Sequence, residues 1–272
     1  MLRSAGRSLL LADQAHFPES RPTVPMRTIK LTLAYDGTDF AGWQFQPGQR
    51  TLQDTLEQTL EKITGQFSRV FASGRTDAGV HALAQMVSFE THSALPADTL
   101  QKALNAELPH DMAAVAVEDA PARFNARRDA KRKRYRYQIC DGCVRDVFRR
   151  RCAWQLFNRL DVSAMQRAAA PLVGKHDFAS FETAGSERET TERNVFELTV
   201  MRMRDPDHLI EIEIEADGFL YNMVRNVVGT LVEVGQGRQS ESWVTEVLAA
   251  RDRRRAGPTA PPQGLCLVCV QY

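Results

Sequence analysis

Gly74-Arg75-Thr76-Asp77-Ala78-Gly79-Val80-His81-Ala82 lies between two apolar runs, Val70-Phe71-Ala72 before it and Leu83, Met86, Val87 and Phe89 after it. The flanks read as strands and the segment between them as a tight, exposed turn, which is where a rigid scaffold presents chemistry. Gly79, two residues past Asp77, permits a positive φ and close approach of a ligand. Arg75, two residues before Asp77, could pair with it on an extended turn, which would keep its carboxylate ionised at a low pKa. Taken alone, Thr-Asp-x-Gly is more often an Asx turn, in which Asp77 would only cap backbone amides. The rest of the chain has to decide between the two.

Outward from this turn, Thr28 to Tyr35 alternates as a strand, with Ile29, Leu31, Leu33 and Tyr35 on one face. Leu52, Leu56, Leu60 and Ile63 have helical spacing, stopped by Gly65. A second helix is expected over Ala97 to Glu107, and a strand over Met112 to Val117. Strand-helix-strand-strand-helix-strand is the split βαβ, ferredoxin-like unit. A second unit follows: a strand at Tyr135 to Cys140, a helix at Ser163 to Val173, and strands at Asn194 to Met203 and His208 to Ala216. Helices at Phe219 to Gly235 and Glu241 to Ala250 come next, and Leu265 to Val270 closes the sheet. The expected fold is therefore α+β: two tandem ferredoxin-like, RRM-like halves, a mostly antiparallel sheet with helices on one face, and a cleft between the halves. The expected divisions are 1–25, 26–120 and 121–272. Residues 1–25 read as a disordered extension upstream of a start at Met26, too weakly apolar for a secretory signal.

The 272 residues, 43% hydrophobic and 25% charged, suit a globular chain, and no apolar run is long enough for a membrane span. A net charge of +1 hides local clusters. Residues 127–136 read Arg-Arg-Asp-Ala-Lys-Arg-Lys-Arg-Tyr-Arg, and Arg149 to Arg151 and Arg251 to Arg255 add more. Cations beside Tyr135 and Tyr137 suit a phosphate backbone with a base to stack.

The five cysteines, Cys140, Cys143, Cys152, Cys266 and Cys269, are expected as free thiols in a reducing cytoplasm. Cys266 and Cys269 lie three apart on a strand, which would turn them to opposite faces. Cys140-Asp141-Gly142-Cys143 is a possible knuckle without a second pair, so no metal is expected. His81 reads as structural. No Ser-His-Asp order, HExxH or phosphate-loop pattern occurs.

Residues 74–82 resemble the catalytic motif of the TruA-type tRNA pseudouridine synthases. Tyr35-Asp36-Gly37-Thr38-Asp39-Phe40-Ala41-Gly42-Trp43-Gln44 is similar to the family's N-terminal signature, and Arg123 to Arg127 with Lys133-Arg134-Tyr135-Arg136-Tyr137 to its tyrosine motif. Phe219 to Asn226 resembles its buried basic helix and Gly264 to Leu267 its last strand, with Cys266 where an aromatic is common. The resemblance implies a homodimeric, cytoplasmic isomerase that converts uridine to pseudouridine at positions 38, 39 and 40 of the tRNA anticodon stem and loop. It implies base flipping and neither cofactor nor metal. It makes Asp77 the catalytic aspartate. Arg75 would assist flipping and pair with Asp77, Tyr135 would stack on the uracil, Arg225 would pair with Asp77, and Leu267 would floor the uracil pocket. Arg132, Lys133, Arg134 and Arg136 are expected on the RNA backbone. A non-catalytic RNA-binding module and a structural zinc protein are the competing readings.

Overall fold

In the strand Arg27–Tyr35 (β1), Ile29, Leu31, Leu33 and Tyr35 are all buried on one face, as their alternation requires. The protein is described by a computed structural model, which covers residues 25–185 and 190–272. Nearly all of the segment read as an extension lies outside the described residues. Helix α1 (Leu52–Thr64) starts at Thr51, whose hydroxyl accepts from the Asp54 amide, and ends at Gly65 with φ 71°. Its Leu52, Leu56 and Leu60 are fully buried. Strands β2 (Phe71–Ala72) and β3 (His81–Thr91), helix α2 (Ala97–Glu107) and strand β4 (Met112–Ala120) complete the first half.

The second half contributes β5 (Arg132–Asp141), β6 (Trp154–Leu156), α3 (Val162–Ala169), β7 (Gly174–Asp177), β8 (Glu192–Arg202) and β9 (Leu209–Ala216). Helices α4 (Met223–Gly235) and α5 (Trp243–Ala250) and strand β10 (Leu265–Gln271) follow. Helix α3 stops at Ala169, short of the expected Val173, and a 3-10 turn containing Pro171 takes over. Proline lacks the N–H that the helix would need there.

All ten strands of the described residues share one sheet, ordered β4-β1-β3-β10-β5-β9-β8-β7, with β2 on β3 and β6 on β5. Each half thus has its own ferredoxin-like order, β4-β1-β3-β2 and β10-β5-β9-β8. They fuse because β2 is only two residues long and covers the Val87–Ser88 stretch of β3. The other end of that edge is left to β10, which pairs in parallel through Cys266 with His81 and Leu267 with Ala82. The last strand closes the sheet from within: β10 is the seam between the halves.

Two further corrections bear on the site. Strand β10 bulges between Leu267 and Cys269, so Cys266 lies opposite Arg136 and Cys269 opposite Arg134. Both thiols therefore share a face, and the opposite-face argument fails. Helix α4 begins at Met223 rather than Phe219, because Asn222 adopts φ 59° and the Met223 amide closes a turn onto Leu220 O. This places Arg225 in the first turn of the helix. Within α4, Gly229 has no room for a side chain: a Cβ would lie 1.7 Å from Pro258 O. The loop leading to β10 is thereby laid directly on α4.

Candidate active site

The turn between β2 and β3 is held by its backbone from three directions. The Ser73 amide donates to Met86 O at 2.8 Å, the Ser73 hydroxyl donates to Gln85 Oε1 at 2.7 Å, and Gln85 Nε2 donates to Gly74 O at 2.8 Å. The Thr76 hydroxyl lies 2.8 Å from Tyr35 Oη of β1, and Thr76 O accepts from the Trp43 amide at 2.9 Å. Gly79 takes φ 78° and packs on Pro262 of the β10 approach. His81 spans the same junction, with Nδ1 accepting from the Gly37 amide at 3.2 Å and Nε2 donating to Gln263 O at 3.1 Å. Its place is structural. From the second half, Lys133 Nζ donates to Ser73 O.

With its backbone fixed, Asp77 turns its side chain across the seam. Oδ2 lies 3.3 Å from Arg225 Nη1. The Val80 amide closes the turn onto the Asp77 carbonyl, and the side chain accepts from no backbone amide among the described residues. That geometry argues against a capping aspartate. Oδ1 has no hydrogen-bond partner among the described residues. Arg225 is itself immobilised: its Nε donates to Ala260 O at 2.7 Å, its Nη1 to Asn222 Oδ1 at 2.8 Å, and its carbonyl accepts from the Ala260 amide at 3.1 Å. Burial pushes the Asp77 carboxyl above its ordinary value of 3.8, and the charge and hydrogen bond of Arg225 only partly oppose this. The expectation of a low pKa is corrected by this desolvation.

Arg75 is exposed and forms no ion pair among the described residues, so the expected Arg75–Asp77 pair is replaced by Arg225–Asp77. Leu267 is fully buried and sits between Ala82 of β3 and Tyr135 of β5 in register. Residues directly opposite in a sheet share a face, so Ala82, Leu267 and Tyr135 form a row across the seam. Tyr135 packs edge-on against Phe219, with ring centroids 5.0 Å apart. Gly264 allows Tyr137 to lie against the β10 approach, where its hydroxyl donates to Pro261 O at 2.7 Å.

The basic run behaves differently from its sequence reading. Arg134 reaches Glu197, Glu213 and Glu215, Arg136 reaches Glu213 and Glu211, and Arg132 reaches Glu215. These arginines form a neutralised cross-strand ladder, while Lys133 points to the opposite face and anchors the Asp77 turn. All four side chains thus have partners within the protein. Sequence reading missed Gln85, Asn222 and Ala260 as positioning groups. The only signal for Asn222 was an asparagine next to an apolar helix, a residue tolerant of positive φ.

A family described as tRNA pseudouridine synthase matches residues 32–128 and 168–272. The chain belongs to this family, whose members are isomerases acting on tRNA. Among curated relatives it is similar to tRNA pseudouridine synthase A of Moorella thermoacetica, 50% identical over 250 residues, covering 91% of this chain and 100% of that one. It is also similar to tRNA pseudouridine synthase A of Halalkalibacterium halodurans, 49% identical over 241 residues, covering 88% of this chain and 90% of the other. The protein of the same name from Thermoanaerobacter sp. is 43% identical over 247 residues, covering 91% and 100%.

Proposed function

We propose that this protein isomerises uridine to pseudouridine at positions 38, 39 and 40 in the anticodon stem and loop of tRNA, through base flipping and Asp77. The observation that carries the proposal is a half-buried carboxylate with one oxygen on Arg225 and the other open, in a chain of the tRNA pseudouridine synthase family. The reaction breaks the C1′–N1 bond, forms C1′–C5, moves a proton off C5 and protonates N1, with no net gain or loss of atoms. Attack on the sugar, attack on the base and a glycal route each begin from ionised Asp77, as nucleophile or as base. A uridine inside a stem is out of reach and must be extruded, at about a few kcal/mol. Exposed Arg75 stands beside Asp77 to take that strand, Tyr135 stacks on the uracil, and Leu267 floors its pocket. Phosphate contacts fall to exposed arginines that form no ion pair among the described residues, Arg75, Arg127, Arg145 and Arg150 among them.

In this reading residues 26–120 carry the aspartate and 121–272 the tyrosine and Arg225, and the enzyme works as a cytoplasmic homodimer. Light scattering behind size-exclusion chromatography tests the dimer, and a monomer at working concentration refutes it. The catalytic assignment is tested with tRNA labelled with tritium at C5 of uridine. Asp77→Asn is expected to cut tritium release by more than about a thousandfold while tRNA affinity stays within about threefold. Full release by that variant would remove Asp77 from the chemistry. Wild-type protein that binds tRNA without releasing tritium would make the chain a binding module.

A further inference from the structure

Away from the catalytic seam, three different metal-ligating side chains meet where β5 ends and β9 begins. Cys140 is the buried penultimate residue of β5, and His208 immediately precedes β9, its carbonyl accepting from the Asp141 amide at 2.8 Å. Asp146 lies on the loop that follows β5. The sulfur of Cys140, a carboxylate oxygen of Asp146 and a ring nitrogen of His208 all lie within 4.8 Å of one another. Asp146 Oδ2 and His208 Nε2 are 3.3 Å apart. Nitrogen and oxygen ligands of a tetrahedral zinc, each at about 2.0–2.1 Å, stand roughly 3.3 Å from each other. The pair is therefore already spaced as two corners of such a site.

The surroundings are consistent with a built site. Asp146 Oδ1 accepts from the Phe148 and Arg149 amides at 3.0 and 3.1 Å, which fixes the carboxylate with Oδ2 toward His208. Arg149 Nε lies 3.3 Å from the same Oδ2, an ion pair that a bound cation would displace. Gly142, Cys143, Asp146 and His208 line one cavity of about 280 Å³.

We propose that Cys140, Asp146 and His208 form a three-ligand site, its fourth position left to water, for a thiophilic divalent cation, of which Zn²⁺ is the best match. Thiolate, carboxylate and imidazole together suit a borderline-soft ion rather than Mg²⁺ or Ca²⁺. The ion would tie the loop at 142–153 to the sheet. That loop presents Phe148, 92% exposed, together with Arg145 and Arg150. The sequence reading expected no metal because the cysteines lacked a second pair; the structure supplies Asp146 and His208 in its place.

The test is a Co²⁺ titration of the full chain after chelator treatment, read by absorption, with zinc competition and metal analysis of the untreated protein. The expected result is one equivalent bound, with the intense visible bands of a tetrahedral ion, thiolate-to-cobalt charge transfer, and displacement by Zn²⁺. Cys140→Ser should abolish the charge-transfer band or weaken it severely, and His208→Ala should weaken binding by at least about tenfold. Circular dichroism of both variants checks that they fold, and His208, half-exposed, is the safer of the two. Absence of cobalt bands in the wild type, or bands unchanged in both folded variants, overturns the proposal. The readout is metal binding alone, so its outcome is independent of whether tritium is released from tRNA.

Discussion

Two places in this molecule set a carboxylate against arginine, and they come out with opposite electrostatics. At the seam, Asp77 meets one guanidinium at a single 3.3 Å contact, and that guanidinium is shared with Ala260 O and Asn222. On the β5–β9 ladder, Glu213 accepts from Arg136 Nε at 2.9 Å and from Arg134 Nη1 at 3.2 Å. Burial pushes both carboxyls upward. At Glu213 the hydrogen bonds and charges of Arg136 and Arg134 outweigh it, so its pKa falls below the ordinary 4.5. At Asp77 one arginine does not outweigh it, and the pKa rises. Proximity to arginine therefore does not by itself mark a stabilised carboxylate. The number of donors committed to it decides, and the under-committed carboxylate is the one left with a free oxygen for chemistry.

Removing the single donor should have the largest effect on this contrast. Arg225→Gln leaves Asp77 with its desolvation and without its cation, so the acid limb of kcat/KM moves to higher pH and activity at neutral pH drops by about 10–100-fold. A pH profile of tritium release reads both. If the limb stays where it is in the wild type, Arg225 does not set the ionisation of Asp77. Gly229→Ala should act less and indirectly. The new Cβ collides with Pro258 O and displaces the loop that carries Ala260 O to Arg225. A stability loss of about 1–3 kcal/mol is expected. It should be accompanied by a several-fold fall in kcat with KM nearly unchanged, measured at a temperature where the variant is fully folded. Unaltered kcat in a destabilised variant would separate the loop from the site.

The contrast also explains what could be read in the sequence. Local signals sufficed for β1, whose alternation of Ile29, Leu31, Leu33 and Tyr35 matches its buried face, and for α1, which stops at Gly65. Asp77 stood out because turn chemistry is local too. The ladder was not legible. Arg134 read as a phosphate ligand because its partners, Glu197, Glu213 and Glu215, are brought opposite it only by sheet register across a long stretch of chain. The seam position of β10 is equally non-local, since it depends on β2 being too short to cover the whole edge of β3. Arg225 entered through a family resemblance, and its place in the first turn of α4 depends on the positive φ of Asn222, which spacing of apolar residues does not report.

The smallest expected effect concerns stability, and it distinguishes the two carboxylates by sign. Glu213 has a folded pKa below its unfolded one, so its ionised form stabilises the fold above pH about 4.5, and that contribution is lost as pH falls through the folded pKa. Asp77 has a folded pKa above its unfolded one, so a cost in stability sets in as the pH rises above about 3.8 and is complete above the folded pKa. Glu213→Gln should therefore lower Tm at neutral pH, by an amount corresponding to no more than about 1 kcal/mol. Asp77→Asn should raise it. In acid both variants should converge on the wild type, from opposite sides. Calorimetry across a pH series resolves the signs even where the magnitudes are small. Shifts of the same sign at neutral pH would mean that Asp77 is as fully compensated as Glu213. The open oxygen would then lose its claim to be the reactive one.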